Sequence, residues 1–142
     1  RYRHPLTVIL LDLDNFKTVN DLDGHDAGDK VLSPVAETLQ NNIRATDVAG
    51  RLGGDEFVML LPETGREAAG AIAAKLQQQL AHSMQNGGWP VTGSFGVATF
   101  MTPPKSIDAV MKQADRLMYG AKQKGKNRIL HEIIQPQQDD PA

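Results

Sequence analysis

The sequence of 142 residues predicts an α/β (α+β) fold, in which helices flank a central mixed β-sheet of ferredoxin-like type. Residues 6–13 form an almost continuous apolar run, which is typical of a strand buried on both faces. Two further apolar runs, residues 47–52 and 56–61, flank a pair of glycines and predict a hairpin. Segments with helical spacing separate the strands, so crossover helices should pack on the sheet.

The elements around the first strand follow from local signals. Gly24 and Gly28 predict a turn in the polar stretch after that strand. Apolar residues then recur at helical spacing over residues 29–44, and Pro34 falls where the start of a helix tolerates it. The predicted order is β-α-β-β-α-β, followed by another helix and a strand.

Beyond the hairpin, Thr64 and Glu67 have the spacing of a capping box and predict the start of a helix. The remaining elements are a loop at residues 85–90, a strand at 91–100, a helix capped by Ser106 and stopped by Gly125, and a strand at 127–134.

Composition bounds the class of protein. A hydrophobic content of 40% and a charged content of 23% are those of a single soluble domain. The net charge of −2 argues against binding nucleic acid through bulk electrostatics. The absence of cysteine excludes disulfides and thiolate metal sites, and it agrees with a location in the reducing cytoplasm. No membrane-length apolar run or signal peptide is visible.

The domain is expected to cover residues 1–134. Residues 135–142 are rich in Gln, Asp and Pro and are expected to form a disordered tail. The chain opens at Arg1 rather than methionine, so we expect a piece of a longer protein, whose missing N-terminal segments could anchor it to a membrane.

Two carboxylates, Asp12 and Asp14, follow the apolar part of the first strand. Residues two apart share a face, so both should leave the sheet in one direction. Clustered oxygen ligands suit Mg²⁺, which takes one or two carboxylates together with substrate phosphates. With Asp55 opposite, they would form a three-carboxylate site of the kind used in two-metal phosphoryl transfer. The alternative is that both acids only mark the exposed end of the strand.

The hairpin turn, Gly53 to Phe57, carries two adjacent acids. Because side chains alternate along a strand, Asp55 and Glu56 are expected on opposite sides, one as a metal ligand and the other for a different task. The glycines leave room for a bulky anionic ligand to approach the backbone. The alternative is an ordinary solvated turn.

Three polar segments could bind a nucleotide. The amides of Asn15 and Phe16 follow a strand and could cradle phosphate. The polar stretch from Asn20 to Asp29 could read a guanine edge, or it could hold Asx turns and a helix cap. The cations at the end of the last helix could neutralise a triphosphate, or they could complement the helix dipole: Lys122, Lys124, Lys126 and Arg128.

Taken together, these motifs resemble the GGDEF domain, the catalytic module of diguanylate cyclases. The resemblance runs nearly the whole length of the chain. It includes residues 12–21, 24–29, the signature Arg51 to Phe57, Ser94 to Ala98, and the segment from Ala114 to Arg128.

The resemblance implies a palm-like fold shared with nucleotidyl cyclases, and the condensation of two GTP molecules into cyclic di-GMP and pyrophosphate. It assigns catalysis to Asp55 and Glu56, with Glu56 assisting deprotonation of the ribose 3′-hydroxyl. Further roles implied are Mg²⁺ or Mn²⁺ ligation by Asp12, Asp55 and the Leu13 carbonyl, guanine binding by Asn20 and Asp29, and phosphate binding by Asn15, Phe16, Lys122 and Lys126.

The family also implies a homodimer, because each domain holds one GTP, and an upstream sensor or dimerisation domain. Arg44-x-x-Asp47 matches its inhibitory product site, where Lys75 stands in place of a second arginine; from the residues alone, a surface ion pair is equally open. The alternative function is a catalytically weak domain that binds GTP or cyclic di-GMP.

The chain departs from the family pattern in three places. Lys126 replaces an arginine, so a positive charge remains without the bidentate fork. The family's opening helix and Asp-x-Leu-Thr turn are absent before the first strand. Gly93 replaces a residue that is usually β-branched, which is expected to weaken its strand.

Overall fold

A computed structural model describes residues 4–135, which form five strands and four helices. In chain order these are β1 Leu6–Asp14, α1 Phe16–Asp23, α2 His25–Gln40, β2 Val48–Gly53, β3 Glu56–Pro62, α3 Arg66–Gly87, β4 Thr92–Phe100, α4 Ile107–Gln123 and β5 Arg128–Ile134.

The strands form one mixed sheet in the order β2-β3-β1-β4-β5. β1 pairs antiparallel with both β3 and β4, and β5 runs parallel to β4. The expected α+β fold with a central mixed sheet is therefore confirmed. The register places Asp12 opposite Glu56 on one side and opposite Ser94 on the other.

Helices cover the two faces of the sheet, and each face has its own apolar core. The larger core joins the odd-numbered side chains of β1, such as Leu11, to α2 and α3. The smaller core joins even-numbered ones, such as Leu10, to α4. Asp12, Asp14 and Glu56 continue the even-numbered series, so they extend from the face that α4 covers.

The segment after β1 differs from the sequence prediction. Instead of a turn around Gly24 and Gly28 and a helix over 29–44, two helices meet at Gly24, whose φ of 89° suits glycine. Gly28 lies inside α2, where the Asn20 side chain fills the space that a Cβ would need. α2 stops at Gln40, and the Asn42 side chain donates to the Thr38 carbonyl at 2.7 Å just beyond that end.

The predicted capping box at Thr64 is also wrong. The N-cap of α3 is Gly65, without a side-chain cap. The Thr64 hydroxyl is committed elsewhere, because it donates to the Pro62 carbonyl at 3.0 Å and accepts from Arg44 at 2.9 Å. α3 then extends to Gly87, into the stretch expected to be a loop.

The predictions for α4 are confirmed. The Ser106 hydroxyl accepts from the Ala109 amide at 3.1 Å, and the helix ends at Gln123, shortly before Gly125. Of the tail expected at 135–142, Gln135 is exposed without regular structure, and the rest lies outside the described residues. Within residues 4–135, no helix combines the length and apolar character needed to cross a bilayer.

Two glycines let β4 pack closely. At Gly93 a Cβ would lie 2.7 Å from Leu11 and 2.8 Å from Leu80, so the missing side chain makes room for the core rather than leaving a void. At Gly96 a Cβ would collide with the Ala114 carbonyl and the Met118 amide of α4. α4 therefore packs directly on β4, the strand that pairs with β1 along its acidic end.

Replacing Gly96 with alanine should lower the free energy of unfolding by about 1–3 kcal/mol, because the methyl group forces α4 away from β4. Urea denaturation measures the change. Gly50→Ala is the matched control, since a Cβ there meets no atom within 4 Å, and it should change stability by no more than about 0.5 kcal/mol. Equal stabilities of the two variants would show that α4 is not constrained at this contact.

Candidate active site

Asp12 carries the one buried side-chain oxygen or nitrogen within residues 4–135 that has no hydrogen-bond partner, its Oδ1 atom. Its Oδ2 atom lies 3.3 Å from Nζ of Lys122. Burial raises the pKa of Asp12 to about 6, and the nearby charge of Asp55 adds to the effect, while Lys122 opposes it. An unpaired oxygen beside a second carboxylate is the environment that a bound cation would stabilise.

Asp14 shares the face of Asp12, as predicted, but its environment is the opposite. Its carboxylate is fully buried and accepts four hydrogen bonds, from the Thr92 and Ser94 hydroxyls, Nζ of Lys122 and the Asn127 amide. Burial alone would raise the pKa of Asp14, yet these donors hold it below its usual value. The proposed three-carboxylate site that includes Asp14 is therefore wrong, because its oxygens are already occupied.

The hairpin tip is fixed to the end of β1. Gly54 and Asp55 form a two-residue loop between β2 and β3, and the Asp55 carbonyl accepts from the Leu13 amide at 3.0 Å. Arg51 holds the neighbouring Gly54 carbonyl with two nitrogens, at 2.9 and 2.7 Å. Because Asp55 belongs to the loop, the strand alternation that predicted opposite sides for Asp55 and Glu56 does not apply to it.

Glu56 begins β3, directly opposite Asp12. Burial raises the pKa of Glu56, and the charges of Asp115 on α4 and of Asp55 raise it further. The register pairs Asp12 with Glu56, and Asp55 directly precedes Glu56, so the three acids lie at one end of the sheet, where the charge of Asp55 acts on both of the others. Asp115 belongs to the segment that carries the resemblance, but it was given no role, since nothing in its own segment indicates that its charge acts on Glu56.

Four of the residues expected to bind the nucleotide lie on α1 and α2, the two helices that follow β1. Asn15 adopts a left-handed conformation (φ 67°) as N-cap of α1, and its side chain donates to the Pro90 carbonyl at 3.2 Å. Phe16 is the first residue of α1, and Asn20 lies one turn later. Asp29, on α2, is exposed and lines a groove of about 360 Å³ together with Arg51 and Phe57.

The expected phosphate cations lie at the end of α4. Burial would lower the pKa of Lys122, but its hydrogen bond to Asp14 and the charges of Asp12 and Asp14 raise it overall. Lys126 is exposed with a φ of 63°, and its amide donates to the Ala121 carbonyl at 3.0 Å. The loop that carries Lys126 returns to the site at Asn127, whose amide binds Asp14 at 3.0 Å.

Arg44 and Asp47 form a more elaborate contact than a surface ion pair. The Asp47 side chain is 2% exposed and accepts from the Arg44 amide and from two guanidinium nitrogens, at 2.8, 3.2 and 3.0 Å. Burial would raise the pKa of Asp47, but the hydrogen bonds from Arg44 lower it. Arg44 also donates to the Pro62 carbonyl at 2.7 Å. Lys75, on α3, is exposed.

A protein-family model described as "Diguanylate cyclase, GGDEF domain" matches residues 1–128. The chain belongs to the GGDEF family. It is 35% identical over 130 residues to Diguanylate cyclase A of Treponema denticola, and 40% identical over 124 residues to diguanylate cyclase DgcM of Escherichia coli K12. These matches cover 89% and 87% of this chain but 35% and 30% of the relatives, so the chain spans about a third of their length.

Solved structures give the same family. The active GGEEF domain of a diguanylate cyclase from Vibrio cholerae superposes with a TM-score of 0.80 at 35% identity, covering 89% of this chain and 82% of that one. The GGDEF domain of DgcB from Caulobacter crescentus, in complex with c-di-GMP, gives a TM-score of 0.75 at 31% identity, with coverage of 90% and 78%. The mixed sheet with flanking helices is thus the GGDEF fold.

The acids of this GGDEF domain fit a hard divalent cation. Within residues 4–135, no three His, Cys, Asp or Glu side chains are grouped so that they could hold a metal. The two carboxylates of Asp12 and Asp55, with the Leu13 carbonyl, would suit Mg²⁺, which needs few protein ligands when substrate phosphates and water supply the rest. The unpartnered Oδ1 atom of Asp12 supports this assignment.

Asp12→Asn should raise the stability of the metal-free domain at pH 8 by roughly 2 kcal/mol. The pKa of Asp12 is higher folded than unfolded, so the folded chain holds the proton more tightly and loses stability as pH rises from about 4 through 6. The uncharged variant escapes this loss, and its advantage should vanish below pH 4. Thermal denaturation in EDTA across this pH range measures it.

Added Mg²⁺ should reverse the order at pH 8. The cation stabilises the wild-type domain because it binds the folded state, whereas the variant lacks the Asp12 charge. If Mg²⁺ shifted the melting temperature of both proteins equally, Asp12 would not be a ligand.

Proposed function

We propose that this domain is a diguanylate cyclase that condenses two GTP molecules into cyclic di-GMP and releases two pyrophosphates, in the cytoplasm where GTP is available. The relatives named above carry this activity in their names. The observation that carries the proposal is the group of Asp12, Asp55 and Glu56 beside Lys122, with one Asp12 oxygen unpaired. Acids and a lysine so arranged suit the triphosphate and its cation.

Binding and orientation fall to residues on three sides of this group. We assign the guanine base to Asn20 and Asp29, which α1 and α2 bring to one side of the hairpin. The amides of Asn15 and Phe16, at the start of α1, and the ammonium groups of Lys122 and Lys126 bind the phosphates. Asp12, Asp55 and the Leu13 carbonyl would hold Mg²⁺ or Mn²⁺, which would neutralise phosphate charge and lower the pKa of the 3′-hydroxyl.

Glu56 is the proton acceptor in this scheme. The 3′-oxygen of one GTP attacks the α-phosphorus of the other, its proton passes to the Glu56 carboxylate, and pyrophosphate leaves with the bonding electron pair. The raised pKa of Glu56 suits a general base, because a carboxylate with greater proton affinity accepts the proton more readily.

The reaction needs two copies of the domain, since each holds one GTP and the product joins both. We therefore propose a homodimer in which two sites face each other. An upstream sensor or dimerisation segment would bring them together in the full-length protein, which agrees with this chain spanning about a third of its relatives.

Glu56→Gln should lower the rate of cyclic di-GMP formation by about 10²-fold or more, because the amide cannot accept the proton. Product is measured by mass spectrometry after incubation of the full-length protein with GTP and Mg²⁺, at several protein concentrations. Specific activity of the wild type should rise with concentration, as a dimer requires. Glu132→Gln, on β5 and paired with Arg116, is the matched control and should retain activity.

Two results would contradict this assignment. Wild-type protein that binds GTP without turnover would favour a catalytically weak domain that serves as a GTP or cyclic di-GMP binding module. Full activity in Glu56→Gln would remove the proposed base.

We also propose product inhibition at a second site formed by Arg44, Asp47 and Lys75. Asp47 and the Pro62 carbonyl fix the Arg44 guanidinium, so Arg44 would present its remaining surface to a guanine base or phosphate of cyclic di-GMP. Lys75 would supply a second, exposed charge.

Lys75→Ala should weaken inhibition by cyclic di-GMP several-fold, and Lys75→Arg should strengthen it, because arginine adds a bidentate donor. The inhibition constant is measured from initial rates with added product. Lys75 is exposed, so neither change should alter the melting temperature. Lys112→Ala, an exposed lysine on α4, controls for net charge. Equal inhibition in all four proteins would exclude Lys75 from the site.

A further inference from the structure

The Asp14 carboxylate is the most heavily bonded acid at the end of β1. It is fully buried, and its Oδ1 atom accepts from Ser94 at 2.7 Å and from Lys122 at 3.0 Å. Its Oδ2 atom accepts from Thr92 at 2.7 Å and from the Asn127 amide at 3.0 Å. One side chain therefore joins β1, β4, the end of α4 and the loop after it.

The two bonds from the α4 side determine where the phosphate cations lie. One fixes the ammonium group of Lys122. The other fixes the backbone at Asn127, the residue after Lys126, in a loop where both residues have positive φ, 63° and 49°. Such backbone conformations are unfavourable for non-glycine residues and persist only where surrounding contacts impose them. The hydrogen bond from the Asn127 backbone N–H to the buried Asp14 carboxylate is such a contact.

Asp12 cannot perform this task. It contacts the same lysine at a longer distance, 3.3 Å rather than 3.0 Å, and one of its oxygens has no partner. A cation bound at Asp12 would compete with Lys122 for that carboxylate. Lys122 would then be held by Asp14, whose carboxylate accepts only from protein donors.

We propose that Asp14 is a positioning residue, which holds Lys122 and the loop of residues 124–127 so that Lys122 and Lys126 face the triphosphate. The inference rests on the proposed function, since it concerns the same GTP site. It assigns to Asp14 selectivity for the triphosphate, and not for the guanine base, whose binding the proposed function gives to Asn20 and Asp29.

Asparagine at this position cannot reproduce the contacts. With its amide nitrogen in the place of Oδ2, it would face the Asn127 N–H donor; in the place of Oδ1, it would face the Lys122 ammonium. Either orientation sets donor against donor and removes the negative charge. In both orientations Lys122 would keep an ion pair with Asp12 alone.

The test compares binding of two probes, GMP and a GTP analogue with a methylene group between the α- and β-phosphorus, which cannot react. In isothermal titration calorimetry with Mg²⁺, Asp14→Asn should bind the analogue about tenfold more weakly, with GMP affinity nearly unchanged. Ser94→Ala keeps the charge and should largely retain the preference for the triphosphate. Thr99 lies roughly 23 Å along β4 from Thr92, which contacts Asp14. Thr99→Val loses hydrogen bonds to Thr7 and His131 and should also retain the preference for the triphosphate.

Equal weakening of both probes in Asp14→Asn would overturn the proposal, because that is the result of general loosening. An unchanged preference for the analogue would overturn it as well, while leaving the proposed function intact. If the wild type bound neither probe, the proposed function itself would fail.

Hydrogen exchange supplies a test that needs no nucleotide. The Asn127 amide should exchange slowly in the wild type and in Thr99→Val, and at least tenfold faster in Asp14→Asn, because its acceptor charge is lost. Equal protection of this amide in all three proteins would show that Asp14 does not hold the loop.

Discussion

The geometry of the site depends on the pairing of β1 with a strand on each of its sides. β3 and β4 bond to its two edges, and helices cover both of its faces. A shift of one residue would exchange the faces and place Leu11 or Leu13 where Asp12 and Asp14 now lie. Such a shift would place these leucines against Lys122 and the polar groups around it, and would place the acids in the apolar core that α2 and α3 cover. The apolar core therefore fixes the position of the polar site.

The same arrangement concentrates charge where folding alone would not favour it. Burial and the charge of Asp55 raise the pKa of Asp12, and burial and the charges of Asp115 and Asp55 raise that of Glu56. Lys122 offsets part of the repulsion at Asp12 and is also bonded to Asp14. Sites that oppose stability in this way are characteristic of binding and catalysis, and the two cores on either side of the sheet supply the stability that the acids remove.

The sequence predicted the elements whose signals are local. The apolar run of β1, the glycine-centred hairpin and the Ser106 cap depend on neighbouring residues, and all appear in the structure. Thr64 matched a capping pattern equally well, but Arg44 and Pro62 occupy its hydroxyl. Gly28 was predicted to be a turn residue. A glycine is needed there because a Cβ would collide with the Asn20 side chain, a contact that exists only once α1 and α2 pack.

The candidate site shows the same limit. Spacing placed Asp12 and Asp14 on one face, and the structure does too, but spacing alone could not separate their roles. The donors to Asp14 lie 78 to 113 residues away along the chain. No local pattern reports contacts of that range. The hairpin acids were found because they interrupt apolar strands, whereas Asp115, on a helix with ordinary amphipathic spacing, gave no such signal.

Three acids with different surroundings illustrate what distinguishes a structural carboxylate from a ligand. Asp14 and Asp47 are both buried, both fully bonded by donors from the chain, and both have a lowered pKa. Asp12 is also largely buried, yet it has an unpaired oxygen and a raised pKa. Burial alone would raise all three pKa values. Protein donors reverse this at Asp14 and Asp47, whereas Asp12 has fewer donors and also faces the charge of Asp55. An acid whose oxygens already bind protein donors acts by positioning those donors, whereas one that folding leaves unsatisfied gains most from a cation.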